Sequence, residues 1–406
     1  MIDLTKNLAT MNRRTKSSVI RELLKLTNRP EIISFAGGLP NPLAFPTEHM
    51  AEITMKVIKE RGREAFQYGS TEGTPFLKEE IIKMLKEEEN ISVKPENILI
   101  VTASQQGLDL VGRTFIDPSD PIIVELPSYI GGLQVFGSYG AKMIGVHADD
   151  HGMQMDELER KLQMLRNEEE HYKFIYLVPD FQNPSGVTMS LERRQKLVEL
   201  SREYNVLLIE DSPYRQIRFE GKAPPMLYSL DKESNVISLF TFSKTLVPGF
   251  RLGFVIAHES IIKKFTVLKQ SIDLCTSPMN QLIAAEFMKQ GLFKEHLPKI
   301  VSMYKAKKDL MMATLEKYMP ANEGISWTKP EGGLFLWLKL PEYMNMDTMF
   351  KEAIQEDVAY VIGSAFHCDG SGQNTVRLNF SYSSDEQIEE GIKRLARVVT
   401  KNLKKR

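Results

Sequence analysis

The sequence predicts an α/β protein whose main domain is a mostly parallel β-sheet between helices, joined to a smaller α+β unit. Two observations predict this fold class. Short apolar segments alternate with amphipathic segments through most of the chain, and the alternation changes after about residue 300. Continuously apolar strands are typical of parallel sheets buried on both faces. The 406 residues are 42% hydrophobic and 26% charged, a composition that excludes a disordered or fibrous chain.

The predicted strands of the large sheet are short runs rich in β-branched and aromatic residues. They cover residues 98–104, 121–127, 172–179, 205–211 and 235–243. Amphipathic helices are predicted at residues 155–170 and 190–204. Ligands usually lie at the carboxyl ends of such strands, so the polar residues that follow each strand are the first candidates for a site.

The pattern after residue 300 predicts the smaller unit. A long helix is expected at about 295–319, strands at 332–340 and 375–381, and a closing helix at 384–404. The first 40 residues show no strand of their own, so we expect them to pack with this unit. The predicted organisation is an N-terminal segment (1–45), a large domain (46–300) and a small C-terminal domain (301–406).

Charge and cysteine content narrow the possible functions. Lys plus Arg number 52 and Asp plus Glu number 53, so global charge does not favour nucleic acid or an anionic membrane as a partner. Two cysteines cannot form a disulfide framework or a cysteine metal cluster, and no metal is predicted. The N-terminus lacks the apolar core of a signal peptide, and no apolar run approaches the ~20 residues that span a bilayer. We therefore expect a cytoplasmic protein.

The most informative motif lies at the end of the run 235–243. Ser243 and Lys244 end that run, and Arg251 follows seven residues later between Gly249 and Gly253. A lysine in apolar surroundings can lose hydration, which lowers its pKa and makes its amine nucleophilic. Ser243 and Arg251 suit an anion. A solvated lysine followed by an arginine in a turn would give the same segment.

Polar residues follow three other predicted strands. Asp211 ends the run 205–211, although an aspartate before Ser-Pro is also common in turns. Asn183, in an Asn-Pro turn, follows the run 172–179 and could simply belong to a tight loop. Ser104 and Gln105 lead from a strand into a helix, where free N–H groups can hold a phosphate, although most such helix caps bind nothing.

Taken in this order along the chain, the motifs resemble those of the fold-type-I pyridoxal-phosphate (PLP) enzymes, specifically the class I and II aminotransferases. The resemblance extends from about Ser17 to the C-terminus. It implies PLP as cofactor, amino-acid and 2-oxo-acid substrates, and a homodimer with shared active sites. It also implies a large domain with a mainly parallel, seven-stranded sheet.

The resemblance also implies roles for individual residues. Lys244 would bind the cofactor covalently and then move a proton, and Asp211 would pair with the pyridine nitrogen. Tyr214 and Asn183 would hydrogen-bond the phenolic oxygen of the ring, on which Tyr129 would stack.

Phosphate and substrate contacts follow from the same resemblance. Arg377 would bind the substrate α-carboxylate in a bidentate pair, with Asn183 beside it. The residues expected around the cofactor phosphate are Ser104, Gln105, Gln106, Ser243, Arg251 and, from a second subunit, Tyr68.

Residues 17–46 look like the 2-aminoadipate and kynurenine aminotransferase branch of this family. In that branch the arginine matching Arg21 meets a distal carboxylate; the alternative is that Arg21 is a solvated helix residue. Gly38 and Leu39 would line the side-chain pocket. We therefore expect a 2-aminoadipate transaminase of broad specificity, which also uses glutamate, leucine or aromatic donors and 2-oxoglutarate as acceptor. Asp180 departs from the small or amide residue common at its position, and the sequence assigns it no role.

Two other functions share the same motifs. A PLP-dependent lyase would use almost the same site residues, because PLP reactions of amino acids begin from the same adduct. A PLP-sensing regulator would carry a DNA-binding domain ahead of the PLP domain. The family resemblance begins by residue 17, which disfavours the regulator.

Overall fold

The computed structural model describes residues 4–15, 29–169, 171–321 and 324–403. The strands are β1 (Ile33–Ser34), β2 (Ile98–Val101), β3 (Pro121–Leu126), β4 (Lys142–Asp149), β5 (Gly152–Met153), β6 (Phe174–Leu177), β7 (Leu207–Asp211), β8 (Val236–Thr241), β9 (Gly253–Ile256), β10 (Ser326–Trp327), β11 (Phe335–Lys339), β12 (Val358–Ala359), β13 (Val361–Ile362) and β14 (Thr375–Asn379).

The helices follow the predicted alternation with the strands. They are α1 (Leu4–Asn7), α2 (Thr10–Arg14), α3 (Thr47–Ala65), α4 (Pro75–Glu89), α5 (Ala103–Phe115), α6 (Ile130–Tyr139), α7 (Met155–Asn167), α8 (Leu191–Glu203), α9 (Leu227–Leu230), α10 (Glu259–Ile272), α11 (Pro278–Lys289), α12 (Leu292–Tyr318), α13 (Met346–Gln355) and α14 (Asp385–Leu403). Within the described ranges, no helix is both long and apolar enough to cross a membrane.

The large sheet has the strand order β2-β9-β8-β7-β6-β3-β4-β5. The five strands from β8 to β4 are parallel to one another, which confirms the predicted mainly parallel sheet. Within the described part of the chain, the sheet has eight strands rather than the expected seven. The additional strand is β5, whose two residues fold back onto the end of β4 and pair with it antiparallel.

The sequence patterns did not predict three strands of this sheet, which are β4, the two-residue β5 and β9. Strand β4 is only partly buried, and its apolar stretch of residues 143–146 is short and contains Gly145. Strand β9 has only four residues, begins at Gly253 and comes directly after a turn. It runs antiparallel between β2 and β8 and thereby places the turn at Arg251 beside the end of β8.

Both faces of the large sheet are covered. In β9, Val255 packs into one hydrophobic cluster, whereas its neighbours Phe254 and Ile256 pack into another on the opposite face. Helix α5 crosses the sheet closely at Gly107, where a Cβ atom would lie 3.1 Å from Leu239 and 3.4 Å from Val255. Burial on both faces explains why most of the strands read as continuously apolar runs.

The smaller sheet is antiparallel, with the order β10-β11-β14-β13. The long helix expected at about 295–319 is α12 (Leu292–Tyr318), which begins after Gly291 in a left-handed conformation (φ 78°). The predicted closing helix corresponds to α14, whose apolar side, including Ile388, Ile392 and Leu395, is buried.

The N-terminal segment does contain a short strand, contrary to the expectation that it has none. Strand β1 pairs in parallel with β12, and the Phe35 carbonyl accepts a hydrogen bond from the Asn379 N–H at 3.0 Å. These contacts place residues 33–35 beside the smaller sheet. The domain boundaries at residues 45 and 300 stay a prediction.

Candidate active site

A cavity of about 230 Å³ lies at the carboxyl ends of β7 and β8. It brings together most of the candidate residues from distant parts of the chain. Its lining includes the predicted residues Gly38, Ser104, Gln105, Tyr129, Asn183, Asp211, Tyr214, Ser243, Lys244, Arg251 and Arg377. Ala103, Val178, Pro213, Thr241 and Phe335 also line the cavity.

Four candidates are not among these lining residues. The side chain of Gln106 lies beneath the cavity, where its Oε1 accepts hydrogen bonds from the Thr102 N–H and Lys269 Nζ. Leu39 is 51% exposed and Tyr68 is 79% exposed. Arg21 lies outside the described residues.

Lys244 is the candidate nucleophile. It follows β8 by three residues and is half-buried, and its Nζ donates a hydrogen bond to the Gly38 carbonyl at 2.7 Å. Loss of hydration, reinforced by the positive charges of Arg377 and Arg251, lowers the pKa of Lys244 to about 8. About a tenth of this amine is therefore unprotonated at pH 7, and the unprotonated form is the nucleophilic one.

Asp211 is the last residue of β7 and is 1% exposed. Its Oδ2 accepts a hydrogen bond from Tyr176 Oη at 3.0 Å. Its Oδ1 is buried and has no hydrogen-bond partner among the described residues. Burial raises the pKa of Asp211 to about 7, an effect that the Tyr176 hydrogen bond only partly offsets. An unpaired buried carboxylate oxygen at a cavity calls for a donor on a bound molecule.

The cavity lining also contains donors for a phosphate-sized anion. Helix α5 begins at Ala103, in a left-handed conformation (φ 58°), and Ser104 and Gln105 occupy its first turn. N–H groups of a first helical turn have no acceptor within the helix and attract anions. The guanidinium of Arg251 donates to Ser243 Oγ at 3.2 Å, which places a cation and a hydroxyl at the same cavity.

Arg377 lies in the middle of β14 and is 1% exposed. Its Nη1 donates to Asn183 Oδ1 at 2.9 Å and its Nη2 to the Ala36 carbonyl at 2.7 Å. Its Nε is buried without an acceptor within the described chain. Burial lowers the pKa of Arg377 to about 10, so it stays charged at neutral pH. This fixed guanidinium is suited to a carboxylate.

Asn183 and Tyr214 meet beside Arg377. The Asn183–Pro184 peptide bond is cis, and Asn183 Nδ2 donates to Tyr214 Oη at 3.3 Å. Burial raises the pKa of Tyr214 well above its usual value and also raises that of Tyr129. Both phenols therefore keep their protons at neutral pH and can donate hydrogen bonds.

Some contributors could not be found from motifs. Tyr176, which binds Asp211, lies inside the apolar run of β6 and faces Asp211 only because of the register between β6 and β7. Phe335 lies in β11, where the centre of its ring is 4.2 Å from the Arg377 guanidinium carbon. The residues next to Tyr176 and Phe335 in the chain form no motif that would predict a functional site.

Several known proteins that are similar to this chain are aminotransferases. The sequence model of the family "Aminotransferase class I and II" matches residues 40–395. Aromatic-amino-acid aminotransferase 1 of Thermococcus litoralis is 44% identical over 96% of this chain and 93% of its own length. The 2-aminoadipate transaminase of Thermus thermophilus is 39% identical over 95% of this chain and 94% of its own length.

A solved structure is similar along the whole fold. The kynurenine aminotransferase of Pyrococcus horikoshii, in complex with PMP, superimposes with a TM-score of 0.95. It is 42% identical, and the match covers 99% of this chain and 98% of that one. The family match extends over both sheets and the cavity between them, so the chain belongs to the class I and II aminotransferases, a PLP-dependent family of fold type I.

Proposed function

We propose that this chain holds PLP on Lys244 and transfers amino groups with a broad range of amino-acid donors. The observation that carries the assignment of residues is the unpaired, buried Oδ1 of Asp211, which shares a cavity with a lysine of lowered pKa. A protonated pyridine nitrogen supplies the donor that Asp211 lacks, and an aldehyde supplies the group that a neutral lysine amine attacks.

The remaining lining fits the other groups of this cofactor. The first turn of α5, Ser243 and Arg251 suit its phosphate. The phenols of Tyr214 and Tyr129 keep their protons, and Tyr214 with Asn183 can donate to the phenolic oxygen of the ring. When bound, PLP supplies a conjugated ring that accepts the electron pair of the breaking Cα–H bond.

Lys244 and Arg377 would carry the steps that belong to the protein. Arg377 would hold the α-carboxylate of the substrate through its free Nε and a guanidinium nitrogen that now binds Ala36. The Lys244 amine would take the proton from the substrate Cα and deliver it to the cofactor carbon next to the transferred nitrogen. The amino group would then pass to a 2-oxo acid, for which we propose 2-oxoglutarate.

The described lining favours apolar and aromatic donors. Its cations are Lys244, Arg251 and Arg377, and each already has a role in the proposed chemistry. The lining residues without a role in the proposed chemistry include the apolar residues Phe335, Val178 and Pro213. We propose that a donor with a distal carboxylate, such as 2-aminoadipate, depends instead on Arg21.

We further propose that the active form is a homodimer. Phe66 and Tyr68 follow α3 closely in the chain and are 71% and 79% exposed. Two largely exposed aromatic side chains this close together are typical of a contact surface. In the dimer, Tyr68 would reach the cofactor phosphate of the second subunit.

Replacing Lys244 with Ala should reduce transamination by at least about a hundredfold, because the covalent anchor and the proton carrier are both lost. Turnover of an amino acid with 2-oxoglutarate measures this effect. Lys308→Ala is the matched control, since Lys308 is a buried lysine that pairs with Glu220 and Asp309 and does not line the cavity. Borohydride reduction and peptide mapping should place the cofactor on Lys244. Undiminished turnover of Lys244→Ala would contradict the proposal.

Asp211→Asn should stabilise the cofactor-free protein at about pH 8 and have little effect near pH 4. The pKa of Asp211 is raised from 3.8 in the unfolded chain to about 7 in the fold. The free energy of unfolding of the wild type therefore falls as the pH rises from about 4 to about 7. Above this range, the charged Asp211 lowers it by up to about 4 kcal/mol.

Thermal unfolding of the wild type and Asp211→Asn across this pH range tests the sign of the effect. The difference between the two proteins isolates Asp211 from other buried acids such as Glu125, whose pKa is also raised to about 7. If Asp211→Asn instead raised the melting temperature more at acid pH than at pH 8, the unpaired state of Asp211 would be contradicted.

Arg21→Ala should slow 2-aminoadipate and glutamate by about tenfold or more, because a charged hydrogen bond is lost, and leave leucine, phenylalanine and kynurenine unaffected. The rate at which each amino donor removes the visible absorbance band of the bound cofactor in a single turnover measures this effect. Arg29→Ala is the control, since Arg29 is an exposed arginine of the same segment that pairs with Asp357. If Arg21→Ala slowed the reaction with all donors equally, or with none of them, the proposed role of Arg21 in substrate recognition would be wrong.

A further inference from the structure

Asp180 is a fully buried carboxylate outside the cavity lining, three residues before Asn183. Its Oδ1 lies 2.8 Å from Arg194 Nη2, and its Oδ2 lies 2.8 Å from Arg215 Nη1. Arg218 Nη2 is 3.6 Å from Oδ1. Burial alone would raise the pKa of Asp180, but the charges of Arg194 and Arg215 outweigh it and hold the pKa below its usual value.

The first of these arginines closes the loop that carries Asn183. Arg194 donates to the carbonyls of Pro179 and Met189 at 2.9 and 3.0 Å, at the two ends of this loop. The Met189 N–H also donates to the Pro179 carbonyl, at 2.8 Å. Asp180 therefore joins the loop to α8, the helix that contains Arg194.

The second arginine directly follows Tyr214 in the chain. Arg215 donates to Asp180 on one side and, through Nε and Nη2, to Glu89 at 2.6 and 2.5 Å on the other. The Asp180–Arg215 pair thus joins the two segments whose side chains meet in the 3.3 Å hydrogen bond from Asn183 to Tyr214.

The third arginine connects this cluster to the segment that leads into β11. The guanidinium carbon of Arg218 lies 4.6 Å from the centre of the Phe181 ring, and its Nη1 lies 3.3 Å from Glu331. Residue 218 also forms a β-bridge with Gly332. The same segment continues to Phe335, whose ring lies against the guanidinium of Arg377.

Asp180 is the carboxylate that Arg194 contacts directly, and the buried Glu210 also interacts with the charges of Arg194 and Arg215. Three guanidiniums, those of Arg194, Arg215 and Arg218, face the carboxylates of Asp180, Glu89 and Glu331. Neutralising Asp180 would leave Arg194, which is fully buried, without its carboxylate. Uncompensated buried charges are costly, so the segments around them would have to move apart.

We propose that Asp180 is a positioning residue that sets the placement of Asn183, Tyr214 and Arg377, and hence the hydrogen bonds that the cofactor ring and the substrate carboxylate receive. The inference rests on the proposed binding of PLP in this cavity. Asp180 acts through Arg215 on Tyr214, through the loop on Asn183, and through Arg218 on the segment that carries Phe335.

The test compares Asp180→Asn with Glu286→Gln in the PLP-loaded enzyme. Glu286 pairs with Lys56 at 2.6 Å and is mostly buried, but it lies outside the cavity lining. The readout is the pH midpoint at which the visible absorbance of the bound cofactor changes. Hydrogen-bond donors to the phenolic oxygen stabilise the unprotonated, negatively charged form of the bound cofactor. Misplacing these donors therefore favours the protonated form and raises the midpoint.

We expect Asp180→Asn to raise the midpoint by about 0.5 pH unit or more, which is about a threefold change in the protonation equilibrium. KM for the amino donor should rise as well, because Asn183 orients Arg377. Glu286→Gln should lower the melting temperature and leave the midpoint unchanged. An unchanged midpoint in folded Asp180→Asn would overturn the proposal and leave Asp180 a purely structural residue.

Arg215→Lys covers the case in which Asp180→Asn does not fold. A lysine keeps the charge but cannot bridge Asp180 and Glu89 as Arg215 does, so we expect a smaller shift in the same direction. No shift in this variant would also overturn the proposal. A wild-type protein without a visible PLP band would instead overturn the proposed function, and the role of Asp180 with it.

Discussion

The structure depends on one constraint: several charged side chains are buried around a single cavity and have lost much of their hydration. Asp211 and Arg377 are almost completely buried, and Lys244 is half-buried. Burial raises the pKa of Asp211 to about 7 and lowers those of Lys244 and Arg377 to about 8 and 10. The same loss of hydration leaves an acceptor at Asp211 and a donor at Arg377 without partners among the described residues. In the proposed mechanism, the cofactor would supply the missing donor and the substrate carboxylate the missing acceptor.

The fold supplies this constraint through strand ends and long-range contacts. Parallel strands place Asp211 and the lysine after β8 at one edge of the sheet, while β14 brings Arg377 from the smaller sheet. The N-terminal segment then covers them, since the Ala36 and Gly38 carbonyls accept hydrogen bonds from Arg377 and Lys244. If Lys244 and Arg377 bind the cofactor and the substrate as proposed, both would have to give up these hydrogen bonds.

The sequence was sufficient where a local pattern determines the outcome. Apolar runs ending in polar residues identified β7 and β8 and, with them, Asp211 and Lys244. It was insufficient where the position of a side chain depends on strand register or on the phase of a helix. The contact of Tyr176 with Asp211 depends on the pairing of β6 with β7. Gln106 belongs to the predicted phosphate motif, yet the phase of α5 turns its side chain toward Lys269 and away from the cavity. The balance of charges around Asp180 needs segments that lie far apart in sequence.

The pairing of Asp211 with the pyridine nitrogen is tested most directly by the ¹⁵N chemical shift of that nitrogen in labelled PLP bound to the enzyme. We expect a protonated nitrogen in the wild type, even at a pH where the free cofactor has lost this proton. In Asp211→Asn the nitrogen should be unprotonated at the same pH, because an amide cannot stabilise the positive ring as a carboxylate does. The same shift in both proteins would contradict the assignment of Asp211 as the partner of the cofactor ring.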